Sequence, residues 1–394
     1  MNDNYITCYC VLGDCNTAWC HHCFPVKDCK EKHPICIKEG ACEDYNIKYN
    51  EYYKNHDNLY DLEDDDNDDN DDNDNGDNEN DVNDDDNKII VTGCAGFIGS
   101  HLCEKLCKIG YNVIGIDNIN DYYDVNVKIA NLNHLKKYEK FLFLKEDICD
   151  TQSIEKYKPI SVIHLASMAG VRNSIENPEI YEKVNCGGFL NILQQCVKNN
   201  ISKIIYASSS SVYGLNEKVP FEETDLISKC NSPYAVSKYC MEMYAKTYNQ
   251  LYNLKTIGFR FFTVYGPRGR PDMAPYKFLY NIKNGIPIDK YGDGSSSRDY
   301  TYVDDIVNGI ISALQNDEIN CEVYNLGNSS PVTLNTFIEI CEKVCNKEAI
   351  INNKPNQLGD VPKTYACIDK AKRDLNYNPT TDLFTGLTNA FNSL

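Results

Sequence analysis

The stretch Lys88 to His101, KIIVTGCAGFIGSH, constrains this chain more than any other. After the lysine it opens apolar and β-branched, which suits a central strand of a parallel sheet. Gly93, Gly96 and Gly99 then fall three apart, with Phe97 and Ile98 between the last two. A turn of this kind needs residues without a Cβ so that backbone can approach a pyrophosphate. The helix that follows directs its unpaired N–H groups and the positive end of its dipole at that phosphate. Leu102 and Leu106 continue a helical pattern, and a second strand, Tyr111 to Ile116, ends in Asp117. An acid about twenty residues beyond the glycines accepts ribose hydroxyls and would repel a 2′-phosphate, so the expected dinucleotide is NAD rather than NADP.

At 394 residues the chain is long for one domain, and its net charge of −19 is unevenly spread. Residues 61–87 carry 16 acids and no base, whereas residues 88–394 carry 33 of each. The acidity therefore belongs to one segment and not to a folded surface. No basic stripe stands out, so nucleic acid is not an expected partner. There is no apolar run of about 18 residues, so no membrane span is expected. The N-terminus is polar and lacks the apolar core of a signal peptide, which points to the cytoplasm. Residues 46–87 are rich in Tyr and Asn and then in Asp and Asn, a composition read as a disordered acidic linker. Residues 88–394 alternate strand-like and helix-like stretches, the pattern of an α/β doubly wound parallel sheet.

Residues 1–45 hold 8 of the 20 cysteines, together with His21, His22 and His33. Cys20-x-x-Cys23 suits one half of a tetrahedral zinc site, and one or two structural zinc ions are the expectation for this module. Disulfides and an unstructured segment are the alternatives. A small module on an acidic tether reads as a docking element for a partner protein.

Further along, a strand from Phe141 to Leu144 precedes Asp147 and Ile148, which either border the adenine or simply close a strand. A strand from Val162 to Ala166 enters HLASMAG, whose small residues let the backbone at Leu165 and Ala166 lie close to a cofactor. A strand from Ile201 to Tyr206 runs into Ala207 and the serines Ser208 to Ser211. Next comes Tyr234-Ala-Val-Ser-Lys238. In a helix Tyr234 and Lys238 share a face, and Pro233 suits the first turn. A phenol titrates near 10 and is a poor base at neutral pH. An ammonium one turn away and the positive nicotinamide would lower that value.

The glycine turn, the serine-ended strand and Tyr-x-x-x-Lys, in that order, resemble the extended short-chain dehydrogenase/reductases of the nucleotide-sugar epimerase and dehydratase family. The resemblance implies a Rossmann-like sheet with a smaller C-terminal substrate-binding portion. It implies Ser209 as the catalytic hydroxyl, Tyr234 as the acid/base and Lys238 on the nicotinamide ribose. Ser208 and Ser210 would share substrate contacts, and Asn185 would support the site. Family members commonly dimerise through helices that include Tyr-x-x-x-Lys, so a homodimer is implied.

The dehydratases of the group carry an Asp-Glu pair where this chain has Ser210 and Ser211, which disfavours dehydration. RFFTVYGPRGRPDMA (Arg260 to Ala274), AGVR (Ala169 to Arg172) and GDVPKTYACIDKAKRDLNYNPTTDLFTGL resemble UDP-glucuronate 4-epimerases. That likeness implies a UDP-sugar substrate. Thr263 and Arg270 would bind its carboxylate, with Arg172 a second candidate, Arg298 at the UDP phosphates and Asp360 at the uridine ribose. Arg270 could equally close a loop ion pair, and Arg298 or Asp360 a pair internal to the fold. The alternatives in function are a UDP-glucose or UDP-N-acetylhexosamine 4-epimerase, a dehydratase or decarboxylase, or a binding protein with an inactive fold.

Overall fold

Strands too apolar to show either face to water must be covered on both sides, and the chain does this with alternating helices. The structure is a computed structural model that describes residues 87–356 and 359–394. The cysteine-rich module, with Cys20 and Cys23, and the acidic segment up to residue 86 lie outside the described residues.

The first half runs β1 (Lys88–Thr92), α1 (Phe97–Lys108), β2 (Asn112–Ile116), α2 (Val125–Leu135), β3 (Phe141–Leu144), α3 (Ser153–Tyr157) and β4 (Ser161–His164). Then come α4 (Val171–Glu176), α5 (Pro178–Tyr181), a π-helical turn over Glu182–Gly188, α6 (Phe189–Lys198) and β5 (Lys203–Ser209). A 3₁₀ turn (Ser210–Tyr213), α7 (Pro233–Tyr252) and β6 (Lys255–Phe261) follow. The remainder is β7 (Thr263–Tyr265), α8 (Ala274–Asn284), β8 (Ile288–Tyr291), β9 (Ser297–Tyr302), α9 (Val303–Gln315), β10 (Cys321–Leu326), β11 (Pro331–Thr333), α10 (Leu334–Cys345), β12 (Ile351–Lys354), α11 (Asp369–Leu375) and α12 (Leu383–Asn392).

Seven strands pair in the order β10-β6-β5-β4-β1-β2-β3, all parallel. The winding reverses between β1 and β4, and a doubly wound sheet opens its ligand crevice at that point. Side-chain alternation sends Ile89, Val91, Ile163, Ile205 and Ile257 to one core, against Leu102 and Leu106 of α1 and Ile306 and Ile310 of α9. Ile90, Ile114, Val162 and Ile204 go to the other core, against α6 and α7. Helix α6 meets it with Phe189, Ile192, Leu193 and Cys196, the spacing of one helical face. The smaller C-terminal portion contains the sheet β11-β9-β7 and the parallel pair β12-β8.

Two strands end elsewhere than the sequence suggests. β4 stops at His164, so Leu165 and Ala166 lie past it. Their N–H groups donate to the Thr92 carbonyl (3.1 Å) and the Thr92 hydroxyl (3.2 Å). β5 starts two residues later and continues to Ser209, because Ser208 and Ser209 stay in register with Arg260 and Phe261 of β6.

That longer β5 commits Ser208 to the interior. Its hydroxyl donates to Glu242 of α7 at 2.5 Å, and Arg260 of β6 grips the same carboxylate through Nε (2.9 Å) and Nη2 (2.7 Å). Arg260 Nη1 also donates to the Tyr213 hydroxyl (3.0 Å), which donates to Asn325 of β10 (2.7 Å). Ser208, expected at the substrate, is thus buried and bonded to Glu242 in the free protein. A fully satisfied buried pair adds little by itself, but removing one member strands the other charge. Arg260→Met is therefore expected to lower the unfolding free energy by about 3–5 kcal/mol, measured by urea titration. A loss below about 1 kcal/mol would show that the pair is dispensable.

Candidate active site

Three backbone approaches shape the crevice. Gly93 has φ +74°, and a Cβ there would lie 2.7 Å from the Ala166 nitrogen. A Cβ on Gly99 would strike the Gly93 carbonyl oxygen. Gly96 takes the N-cap of α1 and no side chain caps that helix, so its first N–H groups face the turn. The cradle is thus one that a Cβ would fill, at the N-terminus of a 12-residue helix, which fits a dinucleotide pyrophosphate. Phe97 and Ile98 open this helix.

Asp117 follows β2, and the Ala95 N–H (3.2 Å) and the Ile119 N–H (2.9 Å) donate to its two oxygens. Burial nonetheless raises its carboxyl above the ordinary range, against the pull of Lys128 at 3.9 Å. Asp147 accepts from the Asn118 amide and the Cys149 N–H, both at 2.9 Å, and these hold its carboxyl low despite partial burial. Asp147 and Asn118 line a cavity of about 370 Å³ with Asn120, Tyr122 and Met168. Ile148 is buried beside it in the chain, in close contact with Gly188.

The chemistry-bearing group forms at the ends of β5 and α7. Ser232 caps α7 by accepting from the Ala235 N–H at 3.1 Å, and Pro233 sits in its first turn. This sets Tyr234 and Lys238 one turn apart, as the spacing predicts. The Ser209 hydroxyl lies near enough to the Tyr234 phenol to lower it. Ser209 in turn accepts from the Ser211 N–H at 3.1 Å, and Ser210 opens the 3₁₀ turn beside it. Asn185, fully buried in the π-helical turn, accepts from the Met168 N–H (2.7 Å) and donates to the Met168 carbonyl and the Ser237 hydroxyl (both 2.9 Å). It ties the HLASMAG loop to α7.

The expected effect of the lysine on the tyrosine takes another form. Lys238 Nζ lies 6.0 Å from the Tyr234 ring centroid and donates to the Ala207 carbonyl at 2.7 Å. Burial lowers its own pKa to about 7. Burial pushes the Tyr234 phenol up, and the groups that pull it back are the Ser209 hydroxyl and the charge of Arg270. His164 completes the interior here. It is fully buried, shares a 2.9 Å hydrogen bond with Thr92, and leaves Nε2 without a partner.

The expected substrate residues separate into two groups. Arg270 lies close enough to Tyr234 to act on its phenol, and Thr263 begins β7, paired with Tyr300 of β9. The Arg270 fork is already engaged: Nε and Nη2 donate to the Asp272 carboxylate at 3.0 and 2.6 Å. The loop ion pair read as an alternative is therefore present. Arg172 pairs with Asp360 at 3.1 Å and lies over the Tyr291 ring, beside the residue expected at the uridine. Arg298 lies on β9 and donates to the Ser297 carbonyl at 2.9 Å. Tyr122, Asp272 and Glu242 were not singled out from the sequence. Only the recurrence of acids and tyrosines in NDYYD hints at the first.

Among the described residues, no group of three or more His, Cys, Asp or Glu is placed to hold a metal, and no helix is long and apolar enough to cross a membrane.

A family model described as GDP-mannose 4,6 dehydratase matches residues 90–390. The chain belongs to that family, the nucleotide-sugar branch of the extended short-chain dehydrogenase/reductases. It is 44% identical over 322 residues to UDP-glucuronate 4-epimerase 4 of Arabidopsis thaliana, a match covering 76% of this chain and 73% of the relative. A crystal structure of UDP-glucuronic acid 4-epimerase from Bacillus cereus, in complex with UDP-glucuronic acid and NAD, superposes with a TM-score of 0.74 at 35% identity. That match covers 78% of this chain and 98% of the other. UDP-glucose 4-epimerase from Thermotoga maritima, with UDP-glucose, gives 0.72 at 33% identity, covering 78% and 98%.

The site's histidines leave a mark on stability. Burial, with Arg268 nearby, lowers His101 to about 4, and burial, with Lys238, lowers His164 to about 3. Below pH 6.5 the unfolded chain protonates these rings while the folded chain does not. The unfolded state then binds more protons, so stability falls as pH drops from about 6.5 towards 4 for His101 and 3 for His164. The loss is on the order of 3 kcal/mol at most for His101 and about 5 kcal/mol at most for His164. Urea midpoints at pH 7 and pH 4.5 should drop less in His101→Gln than in the parent chain, and an equal drop would count against this origin.

Proposed function

We propose that this chain interconverts UDP-glucuronate and UDP-galacturonate by epimerisation at C4 through a 4-keto intermediate. That it is an NAD-dependent nucleotide-sugar 4-epimerase follows from its family and its relatives; the sugar is the proposed part. One observation supports the choice above others. Arg270, whose side chain is only 18% exposed, sits where its charge acts on the Tyr234 phenol. A buried cation beside the group that serves C4 suits a sugar with a carboxylate on the neighbouring C5.

The glycine turn, Asp117 and Lys238 are the residues that would hold NAD. When bound, NAD takes hydride from C4 and returns it to the opposite face of the ring. Tyr234 removes the proton from the 4-hydroxyl and gives it back, and Ser209 holds the oxygen in between. Pre-aligned groups of this kind contribute by positioning as well as by proton transfer. The Arg172–Asp360 end keeps the nucleotide tethered while the sugar presents its other face. The intermediate is a β-keto acid, and its carboxylate leaves as CO2 when the C5–carboxylate bond lines up with the ketone. Arg270 and Thr263 keep that bond out of line.

Full-length protein incubated with NAD and either UDP-glucuronate or UDP-glucose, followed by proton NMR, tests the reading. UDP-galacturonate from the first and no UDP-galactose from the second is the expected result. UDP-galactose alone would transfer the chain to the UDP-glucose 4-epimerases, whose fold it shares at a TM-score of 0.72. Tyr234→Phe should lose roughly 10²–10⁴ in kcat, the scale of positioned acid–base catalysis. Arg270→Gln removes a charge that lowers the phenol, so the ionising limb of kcat should move to higher pH. A limb that stays in place would mean that this charge does not reach Tyr234 in the working enzyme.

A further inference from the structure

The loop after β2 reaches across the crevice with one side chain, Tyr122. Its hydroxyl donates to the Ala169 carbonyl at 2.6 Å. The backbone there is shaped around it: Gly170 has φ +103°, and a Cβ on that residue would lie 2.7 Å from the tyrosine oxygen. The ring turns its face to Arg270, whose guanidinium carbon is 5.3 Å from the centroid. Asp272 takes the Nε and Nη2 edge of the same guanidinium. Nη1 makes no hydrogen bond to any described residue. Arg270 is therefore fixed on one face and one edge, with both Nη1 donors and the second Nη2 donor left for a ligand.

We propose that Tyr122 is the positioning residue for Arg270, and that its ring face governs whether the 4-keto intermediate keeps its carboxylate. The role rests on the UDP-glucuronate reading above. Loss of CO2 breaks the C5–carboxylate bond. The electron pair passes into the C4–C5 enolate, and C5 then takes a proton from solvent, leaving a 4-keto pentose. The step needs the breaking bond aligned with the carbonyl π system. A guanidinium held on a face and an edge fixes the torsion of the carboxylate that it contacts, whereas a guanidinium free to swing follows the carboxylate into alignment. Tyr122 also lines the cavity bordered by Asn118 and Asp147, so the same ring spans from the cofactor side to the carboxylate site.

The test uses the full chain, NAD and UDP-glucuronate, and reads by NMR the ratio of decarboxylated products to UDP-galacturonate. Tyr122→Phe keeps the ring face and loses only the Ala169 hydrogen bond, so its ratio should match that of the parent. Tyr122→Leu removes the face, and the ratio should rise roughly tenfold, the scale of one desolvated cation–π contact. Asp272→Asn loosens the other side and should raise the ratio too, which gives a reading even where the leucine variant does not fold. An unchanged ratio in Tyr122→Leu or Asp272→Asn would overturn the role. So would a rise in Tyr122→Phe as large as in Tyr122→Leu, because the hydrogen bond and not the ring would then be responsible. If the parent chain leaves UDP-glucuronate untouched, the substrate reading fails and takes this role with it. If the parent turns it over and the variants keep its ratio, only the Tyr122 role fails.

Discussion

Thr92 holds the crevice together. At the end of β1 its carbonyl accepts from Leu165 and its hydroxyl from Ala166, while the same hydroxyl meets His164. These contacts draw the chain after β4 against the glycine turn so tightly that Gly93 has no room for a Cβ beside Ala166. Everything reactive is referenced to that seam. Asn185 anchors to Met168 just beyond it, and through Ser237 to the helix that carries Tyr234 and Lys238. A well-bonded scaffold of this sort lets reacting groups be held to within fractions of an ångström.

Electrostatics in the site work through burial first and partners second. Burial alone would leave Tyr234 too weakly acidic to serve at neutral pH, and Lys238 close to losing its proton. The counterweights are local: a serine hydroxyl and the Arg270 charge for the phenol, and Cys186 for the ammonium, which also donates to the Ala207 carbonyl. A positively charged nicotinamide would add to the same field. Arg270 thus acts on two parts of the site, as the partner expected for the sugar's carboxylate and as a charge felt by the acid/base. Placing a cation there lowers the cost of keeping a tyrosinate in a dry cleft.

Much of this was legible in the residues, and the places where it was not have physical causes. β3 reads off directly at Phe141–Leu144, since a buried parallel strand is a short continuous apolar run. β5 does not, because Ala207, Ser208 and Ser209 look like a loop while their backbones still pair with β6. Extending the strand by those residues changes the reading of the serines: alternate side chains leave a strand on opposite faces, so Ser208 goes to Glu242 when Ser209 goes to Tyr234. Helical spacing put Tyr234 and Lys238 together correctly, but spacing says nothing of the Ala207 carbonyl that claims the ammonium. Tyr122 had only the faint local signal of NDYYD to betray it. Its relevance comes from a loop that follows β7, and only folding brings the two together.

If the substrate is UDP-glucuronate, as proposed, the same machinery that oxidises C4 creates a hazard that the site must contain. Once C4 is a ketone, a carboxylate on C5 is activated for loss, whichever residue removed the proton. An enzyme for a neutral sugar never meets this problem, so the demands on its tyrosine, serine and lysine are the same but the demands on its carboxylate side are not. What separates such enzymes must therefore lie in groups that fix a torsion and not in groups that move protons. In the proposed reading those groups here are a guanidinium gripped along one edge by Asp272 and covered on one face by Tyr122. Rigidity has a thermodynamic root: an arginine already ordered in the free protein loses less side-chain freedom when its ligand arrives. On the proposed UDP-glucuronate reading, holding Arg270 before the sugar binds would serve both the affinity for the carboxylate and its survival through the ketone stage.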